Sequence, residues 1–284
     1  MFFIFAFKKY VIININIMNI RRNKENKKMA NQTKGLCKYC GKEYTKGGML
    51  RHLPTCKARK VVLESENGKT KCGYFQIVLM GRYTKAYWLI IEISENATLR
   101  ELDQFIRDIW VECCGHLSSF NIDGVLYDVM PSEDSFWGPP AKSMNYKLKD
   151  VLTPGQTISY EYDFGSTTEL ILTVHSYRVG GRRKEKITIL SRNNPLRIVC
   201  SQCGKNEAEW IDPQKYYDEN PFWCEECLKK YEEIEEDDDE YEDWEVEIPE
   251  FWLPVCNSPR MGVCGYEGSQ KYPDQFQPDV QQSK

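Results

Sequence analysis

The chain has 284 residues, 28% of them charged and 41% apolar, and a formal net charge of −4 at pH 7. That is the balance of a soluble globular protein, which excludes a wholly disordered chain and a bundle of membrane spans, and the length admits one large domain or two to three small ones. The charge is unevenly spread: residues 34–60 carry eight Lys or Arg against one acid, Glu43, whereas residues 231–250 contain the run EEIEEDDDEYEDWEVE.

In chain order, the opening MFFIFAFKKYVIININIMNIRRNKENKK comes first. Its apolar run starts at residue 2, is broken by Lys8 and Lys9, and lacks a small-residue cleavage site. Asn14, Asn16 and Asn19 make it too polar to span a membrane. Residues 1–28 are therefore expected to be a non-native or disordered leader, with Met29 as the natural start, and the chain is expected to be cytoplasmic.

Residues 29–60 form a small basic cysteine unit. Cys37, Cys40, His52 and Cys56 give Cys-x2-Cys-x11-His-x3-Cys, which is similar to Cys2HisCys zinc fingers. His52 and Cys56 lie one helical turn apart and can converge on one ion, with Tyr44 and Met49 or Leu50 as a miniature core. The surrounding cations suit phosphate contacts, although a basic solvated face or a protein contact fits them as well. Residues 61–73 read as a polar linker.

From Tyr74 the pattern changes. YFQIVLM (74–80) and AYWLIIEI (86–93) are β-branched and aromatic runs that predict a hairpin. ATLRELDQFIRDIWV (97–111) places Leu99, Leu102, Phe105, Ile106, Ile109 and Trp110 on one helical stripe, and Thr98 with Glu101 has the spacing of a capping box. Strands are predicted on either side of Asp123-Gly124 and over 157–164, 169–179 and 185–191, with a short helical turn at 148–152. Hairpin, one helix, then more strands predicts an α+β fold, a mostly antiparallel sheet with one main packed helix in a β-grasp-like layout. His175 falls in an alternating strand and should be half-exposed.

The stretch from Tyr74 to about Ile189 resembles the plasmid pRiA4b ORF-three-like family. The likeness rests on YFQIVLMG followed by Trp88; on the helix with Trp110 running into Gly115-His116-Leu117 and Phe120; on LKDVLTPGQTISYEYDFG; and more loosely on NSPRMGVCGYEG near the C-terminus. The resemblance implies a compact α+β domain of unknown biochemical role from a plasmid or mobile-element context. It also exposes departures. Ser118 stands where many members have a second His, and Ser166-Thr167-Thr168-Glu169-Leu170 replaces their Asp-x-Trp-Glu-His.

Beyond the sheet, Cys200, Cys203, Cys224 and Cys227 form two Cys-x-x-Cys knuckles twenty residues apart. Two tight turns, each aiming two sulfurs at one ion, complete a tetrahedron, and soft thiolates suit zinc, with iron a competitor. Gly204 sits where a knuckle often needs positive φ. Four protein ligands leave no place for water, so this ribbon (196–230) is expected to be structural. Its aromatic interval (Trp210, Tyr216, Tyr217, Phe222, Trp223) reads as a small core or a stacking face. Residues 231–250 read as an acidic linker, 251–268 as a segment packing back on the core, and 269–284 as a disordered tail.

The remaining chemistry-bearing residues read as structural. Cys72, Cys113 and Cys114 are scattered, and Cys256 and Cys264 are expected to pack as buried thiols without metal partners. Cys113 or Cys114 with His116 could be a Cys/His nucleophile pair, but nothing in the sequence supplies the required geometry. Asp163-Phe164-Gly165 matches a kinase metal motif in letters alone and is expected to be a strand-ending turn. The reading that results is a non-enzymatic interaction protein holding two structural zinc ions, with no catalytic residue and no small-molecule substrate assigned. Its partner would be a protein, or a nucleic acid met through residues 34–60. A hydrolase-like enzyme using His116, Asp163 and Glu169 is the alternative from another class.

Overall fold

The computed structural model describes residues 33–131, 140–215, 221–235 and 251–279, the last five of helix 225–235 in backbone only. The leader and its Met29, Tyr216, Tyr217, most of the acidic run and residues 280–284 lie outside the described residues. In chain order come β1 (Lys34–Leu36), β2 (Glu43–Thr45), α1 (Lys46–His52), α2 (Lys57–Glu64), β3 (Lys71–Gly81), β4 (Trp88–Ser94) and α3 (Leu99–Ile106). Then follow β5 (Ser118–Ile122), β6 (Val125–Asp128), β7 (Lys142–Ser143), α4 (Leu148–Val151), β8 (Thr157–Tyr162), β9 (Thr168–Gly181) and β10 (Ile187–Arg192). Last are β11 (Trp210–Ile211), β12 (Phe222–Trp223), α5 (Glu225–Glu235) and β13 (Leu253–Pro254).

The fold is mixed α+β, built on one eight-stranded sheet of order β10-β4-β3-β9-β8-β5-β6-β7 in which only β6 and β7 pair in parallel. The β3–β4 hairpin followed by α3 matches the expected layout, and the sheet extends well beyond it. Alternation along the central strands explains what each face carries. Phe75, Ile77 and Leu79 of β3, and Leu89, Ile91 and Ile93 of β4, pack with Leu99, Leu102 and Phe105 of α3. Val78, Trp88, Ile90 and Leu190 face the other way, onto Cys37, Met49 and Leu53 of the N-terminal unit. These strands are apolar on both faces because both faces are covered.

The N-terminal unit is thus a third layer of the structure that shares a core with the sheet. It also continues the sheet edge, since Gly35 bridges to Asn193 and the Lys38 amide donates to the Leu190 carbonyl at 2.9 Å. At Gly35 a Cβ would lie 2.0 Å from the Arg192 carbonyl oxygen and 2.8 Å from the Trp88 ring. Gly35→Ala is expected to push the unit off the sheet and cost about 1–3 kcal/mol; a melting temperature equal to that of the unaltered chain would show that the two layers are not in close register.

The main helix begins as the sequence predicts. Thr98 Oγ1 accepts from the Glu101 amide, and Glu101 Oε2 accepts from the Thr98 amide at 2.9 Å, a complete capping box. It departs from the prediction at its end, where Arg107–Val111 form a π turn. Ile109, Trp110 and Val111 are all buried. The wider turn coincides with the burial of these three consecutive side chains.

Several expectations are corrected. The segment 61–73 is not a plain linker, because α2 runs to Glu64 and the buried Glu66 pairs with Arg178 and Arg183. The acidic stretch begins as helix, since α5 reaches Glu235. Residues 269–279 do not behave as a disordered tail. Asn257 Nδ2 donates to the Asp274 carbonyl, Arg192 to the Pro273 carbonyl, and the Asp279 amide to the Lys38 carbonyl, while Tyr272 packs on Phe105. His175 is exposed, as the extra residue of a β-bulge opposite Gln76 and Ile77.

Candidate metal centres

Three clusters of cysteine and histidine could hold metal ions, each with its four ligand atoms within 4.8 Å of one another. Two are the sets expected from spacing: Cys37, Cys40, His52 and Cys56, and Cys200, Cys203, Cys224 and Cys227.

The first is positioned by β1, by the turn before β2 and by the end of α1. Gly41, directly after Cys40, has φ 67°, and its amide donates to the Cys37 carbonyl at 2.9 Å. That left-handed glycine lets the turn close so that both sulfurs face one point. Thr45 caps α1 by accepting from the Gly48 amide, and α1 delivers His52 Nε2 to 3.3 Å from Cys40 Sγ. The imidazole stacks on Tyr44 at 4.3 Å between ring centres. Burial, with Lys42 nearby, lowers the His52 pKa and favours the neutral ring that a metal needs. Burial pushes the Cys37 thiol up to about 12, a preference that a bound cation would reverse.

The second repeats the construction. Gly204 follows Cys203 with φ 64°, as expected, and its amide donates to the Cys200 carbonyl at 2.9 Å. Backbone amides of Asn206 and Lys205 draw the Cys203 thiol down to about 6. Cys224 lies just before α5 and Cys227 within its first turn, and Cys203 Sγ is 3.9 Å from Cys224 Sγ. The aromatic interval between the knuckles faces inward where it is described. Trp223 is buried and meets Trp252 edge-on at 5.4 Å, with Trp210 packed against the pair. β11 pairs with both β12 and β13, so the ribbon and the C-terminal segment share one small sheet.

The third cluster was not expected. Cys113, Cys114 and His116 leave the π turn after α3, and Cys264 arrives on the C-terminal segment. Cys264 is exposed rather than buried, whereas Cys256 is buried as expected. Cys114 Sγ is 2.9 Å from His116 Nε2, so the Cys/His pair does exist. Hydrogen bonding to Cys113, together with the neighbouring Cys264, pushes the Cys114 thiol up to about 12, the wrong direction for a nucleophile.

The three residues of the hydrolase-like alternative do not converge. His116 Nε2 lies 3.5 Å from Asp163 Oδ2, and Asp163 is held by the fully buried Arg260 at 2.8 Å. Burial raises the Asp163 pKa, but hydrogen bonds from Arg260 and from the Ser166 and Gly165 amides, with the nearby His116, together outweigh it and hold the carboxyl below the usual range. Glu169 follows Thr168, whose hydroxyl accepts from Arg260, so alternation along β9 turns Glu169 to the opposite face. There it meets Arg82 and Tyr83. Asp163 itself, with φ 65°, ends β8 and accepts from the Gly165 amide at 3.0 Å, which is a turn and not a metal motif.

Residues 74–191 match the family model described as plasmid pRiA4b ORF-3-like protein. The central unit is a pRiA4b ORF-3-like domain. The match spans most of β3 through nearly all of β10, so the finger, the ribbon and the C-terminal segment lie outside it. Cys113, Cys114 and His116 belong to the pRiA4b ORF-3-like domain, whereas Cys264 does not. A crystal structure of a protein of unknown function from Methanosarcina mazei Go1 is similar at 22% identity, covering 43% of this chain and 69% of that one, with a TM-score of 0.35. No curated protein matches the chain. No helix among the described residues is long and apolar enough to cross a membrane.

Proposed function

We propose that the protein is a non-enzymatic, zinc-stabilised interaction protein of the cytoplasm from a plasmid or mobile-element context, a reading supported by the plasmid named in the description of the matching family model. The observation that carries this is the closure of the two expected clusters, each offering four Cys or His ligands. A zinc ion so held has no position for water or substrate, and its binding energy is folding energy. The finger ion would hold the third layer on the sheet, and the ribbon ion would hold the knuckles against β13. Thiolate-rich sets favour zinc, with iron as competitor. Limited proteolysis of the full chain with and without a strong chelator tests the reading. Metal removal is expected to expose residues 33–64 and 196–230 to cleavage before residues 74–191. Equal protection of all three regions in the metal-free chain would sink it.

Nucleic-acid binding through the basic finger is the second reading, favoured by the exposed Lys42, Arg51, Lys57 and Lys60. Against it, Lys34 pairs with Glu43, Lys38 with Asp279 and Arg59 with the buried Glu92, while Met49 turns α1 onto the sheet. Fluorescence anisotropy with a labelled duplex at physiological salt is expected to show nothing tighter than generic affinity, about 10⁻⁴–10⁻⁶ M. Nanomolar binding that falls steeply with salt would establish the nucleic-acid role instead.

A further inference from the structure

We propose that Cys113, Cys114, His116 and Cys264 form a third metal site for a thiophilic divalent cation of the zinc class, which clasps the C-terminal segment onto the pRiA4b ORF-3-like domain. The donor geometry is the first support. Cys114 Sγ lies 2.9 Å from His116 Nε2, 3.5 Å from Cys113 Sγ and 3.9 Å from Cys264 Sγ, and His116 Nε2 lies 3.3 Å from Cys264 Sγ. A tetrahedral zinc ion with the usual bond lengths holds its sulfur and nitrogen donors about 3.5–3.8 Å apart. The observed separations straddle that range.

The backbone supplies the second support. In the two other centres a left-handed glycine follows the second cysteine of the knuckle, Gly41 after Cys40 and Gly204 after Cys203. The same Cys-Gly step occurs twice in the third cluster, where Gly115 follows Cys114 with φ 77° and Gly265 follows Cys264 with φ 66°. Cys264 is itself left-handed at φ 51°. A non-glycine residue is held there only where its surroundings require it, and a bond to an ion is such a requirement.

Hydrogen bonds from outside the cluster are the third. Arg260 Nη2, on the same segment as Cys264, donates to Cys113 Sγ at 3.3 Å and to Asp163 Oδ2 at 2.8 Å. The Tyr162 hydroxyl accepts from the amides of Cys113 and His116 at 3.5 and 3.3 Å. Partners of this kind fix metal ligands in place. Both strands of the clasp are therefore oriented before any ion arrives.

The site differs from the other two in access. Cys114 and Cys264 are exposed, whereas Cys37, Cys56, Cys200 and Cys224 are buried. Its ion exchanges with solution faster, and loading of the site sets how firmly the C-terminal segment is held.

Native mass spectrometry of the full chain, purified with zinc and a reductant, combined with timed transfer of zinc to a mild chromogenic chelator, tests this. The expected result is three zinc ions per chain, one released in a distinct fast phase. Cys264→Ser and Cys114→Ser, at exposed positions, are each expected to keep two ions and lose the fast phase. Two slow ions with no fast one in the unaltered chain would overturn the third site and leave the proposed function standing. Three ions retained in both variants would overturn it, as would a mass deficit of two hydrogens marking a Cys114–Cys264 disulfide in the reduced, folded chain. Loss of slow ions with the fast one present would count against the proposed function instead.

Discussion

Cys37→Ser is expected to release one zinc ion and lower the melting temperature by about 8 °C or more. Cys37 is fully buried and serves two structures at once. It is a corner of the first metal cluster, and it packs with Met49, Leu53, Val78, Trp88, Ile90 and Leu190 where the finger meets the sheet. Serine removes a thiolate ligand and leaves a hydroxyl among apolar side chains. Loss of a structural metal belongs with the changes that cost more than about 4 kcal/mol, and each kcal/mol shifts melting by about 2–4 °C in a chain of this size. The comparison is Cys72→Ser, a buried thiol outside the clusters that is bonded to Ser94. Its zinc content should be unchanged. Calorimetry and zinc analysis of both variants check the prediction, and equal stability for the two would mean that the finger cluster holds no ion.

Glu92→Gln is expected to destabilise the chain by about 3–5 kcal/mol at pH 7, the range for breaking a buried ion pair from one side. Glu92 is 1% exposed, on the face of the sheet that the finger covers. It accepts from Arg59 of α2 at 2.9 Å and from Arg178 of β9 at 2.6 and 2.7 Å, and it forms an ion pair with Arg183 at 2.7 Å. Glu66 provides the other carboxylate for Arg178 and Arg183. Removing the Glu92 charge leaves three partly or fully buried guanidinium groups with one carboxylate among them. The same network sets a pH dependence. Burial raises the Glu92 pKa, but hydrogen bonds from Arg178 and the three positive charges outweigh it and hold the folded-state value below normal. A depressed folded-state pKa gives stability that is fully present above the unfolded value, about 4.3 for Glu, and lost as pH falls through the folded value. The stability gap between the unaltered chain and Glu92→Gln should narrow below about pH 4. A gap constant from pH 7 to pH 3 would show that Glu92 is not held ionised by the arginines.

The elements whose signal is local were legible. The β3–β4 hairpin, the Thr98–Glu101 cap and the two knuckles each state their geometry within twenty-five residues of sequence. Long-range partnerships were not. Cys264 lies 150 positions from Cys114, and no spacing rule connects two cysteines across that distance. The one available hint was the repeated Cys-Gly step. Arg260, a cation in NSPRMGVCGYEG for which the sequence names no partner, is fully buried, because Asp163 and Thr168 meet it at the end of β8 and the start of β9. Residues 269–279 have the composition of a disordered tail. Much of what holds them is hydrogen bonding to their backbone, which leaves no trace in residue type. The layering of the finger on the sheet was foreshadowed only by YFQIVLM and WLIIEI, whose apolar runs, broken only by Gln76 and Glu92, suit strands covered on both faces.

The central claim is that the chain is held together by bound metal at two closed centres. Zinc counting by native mass spectrometry after prolonged competition with a strong chelator, with the fold followed by circular dichroism, tests it most directly. The account predicts two zinc ions per chain that leave only as structure is lost. A chain that keeps its full circular dichroism spectrum with fewer than two ions would contradict it.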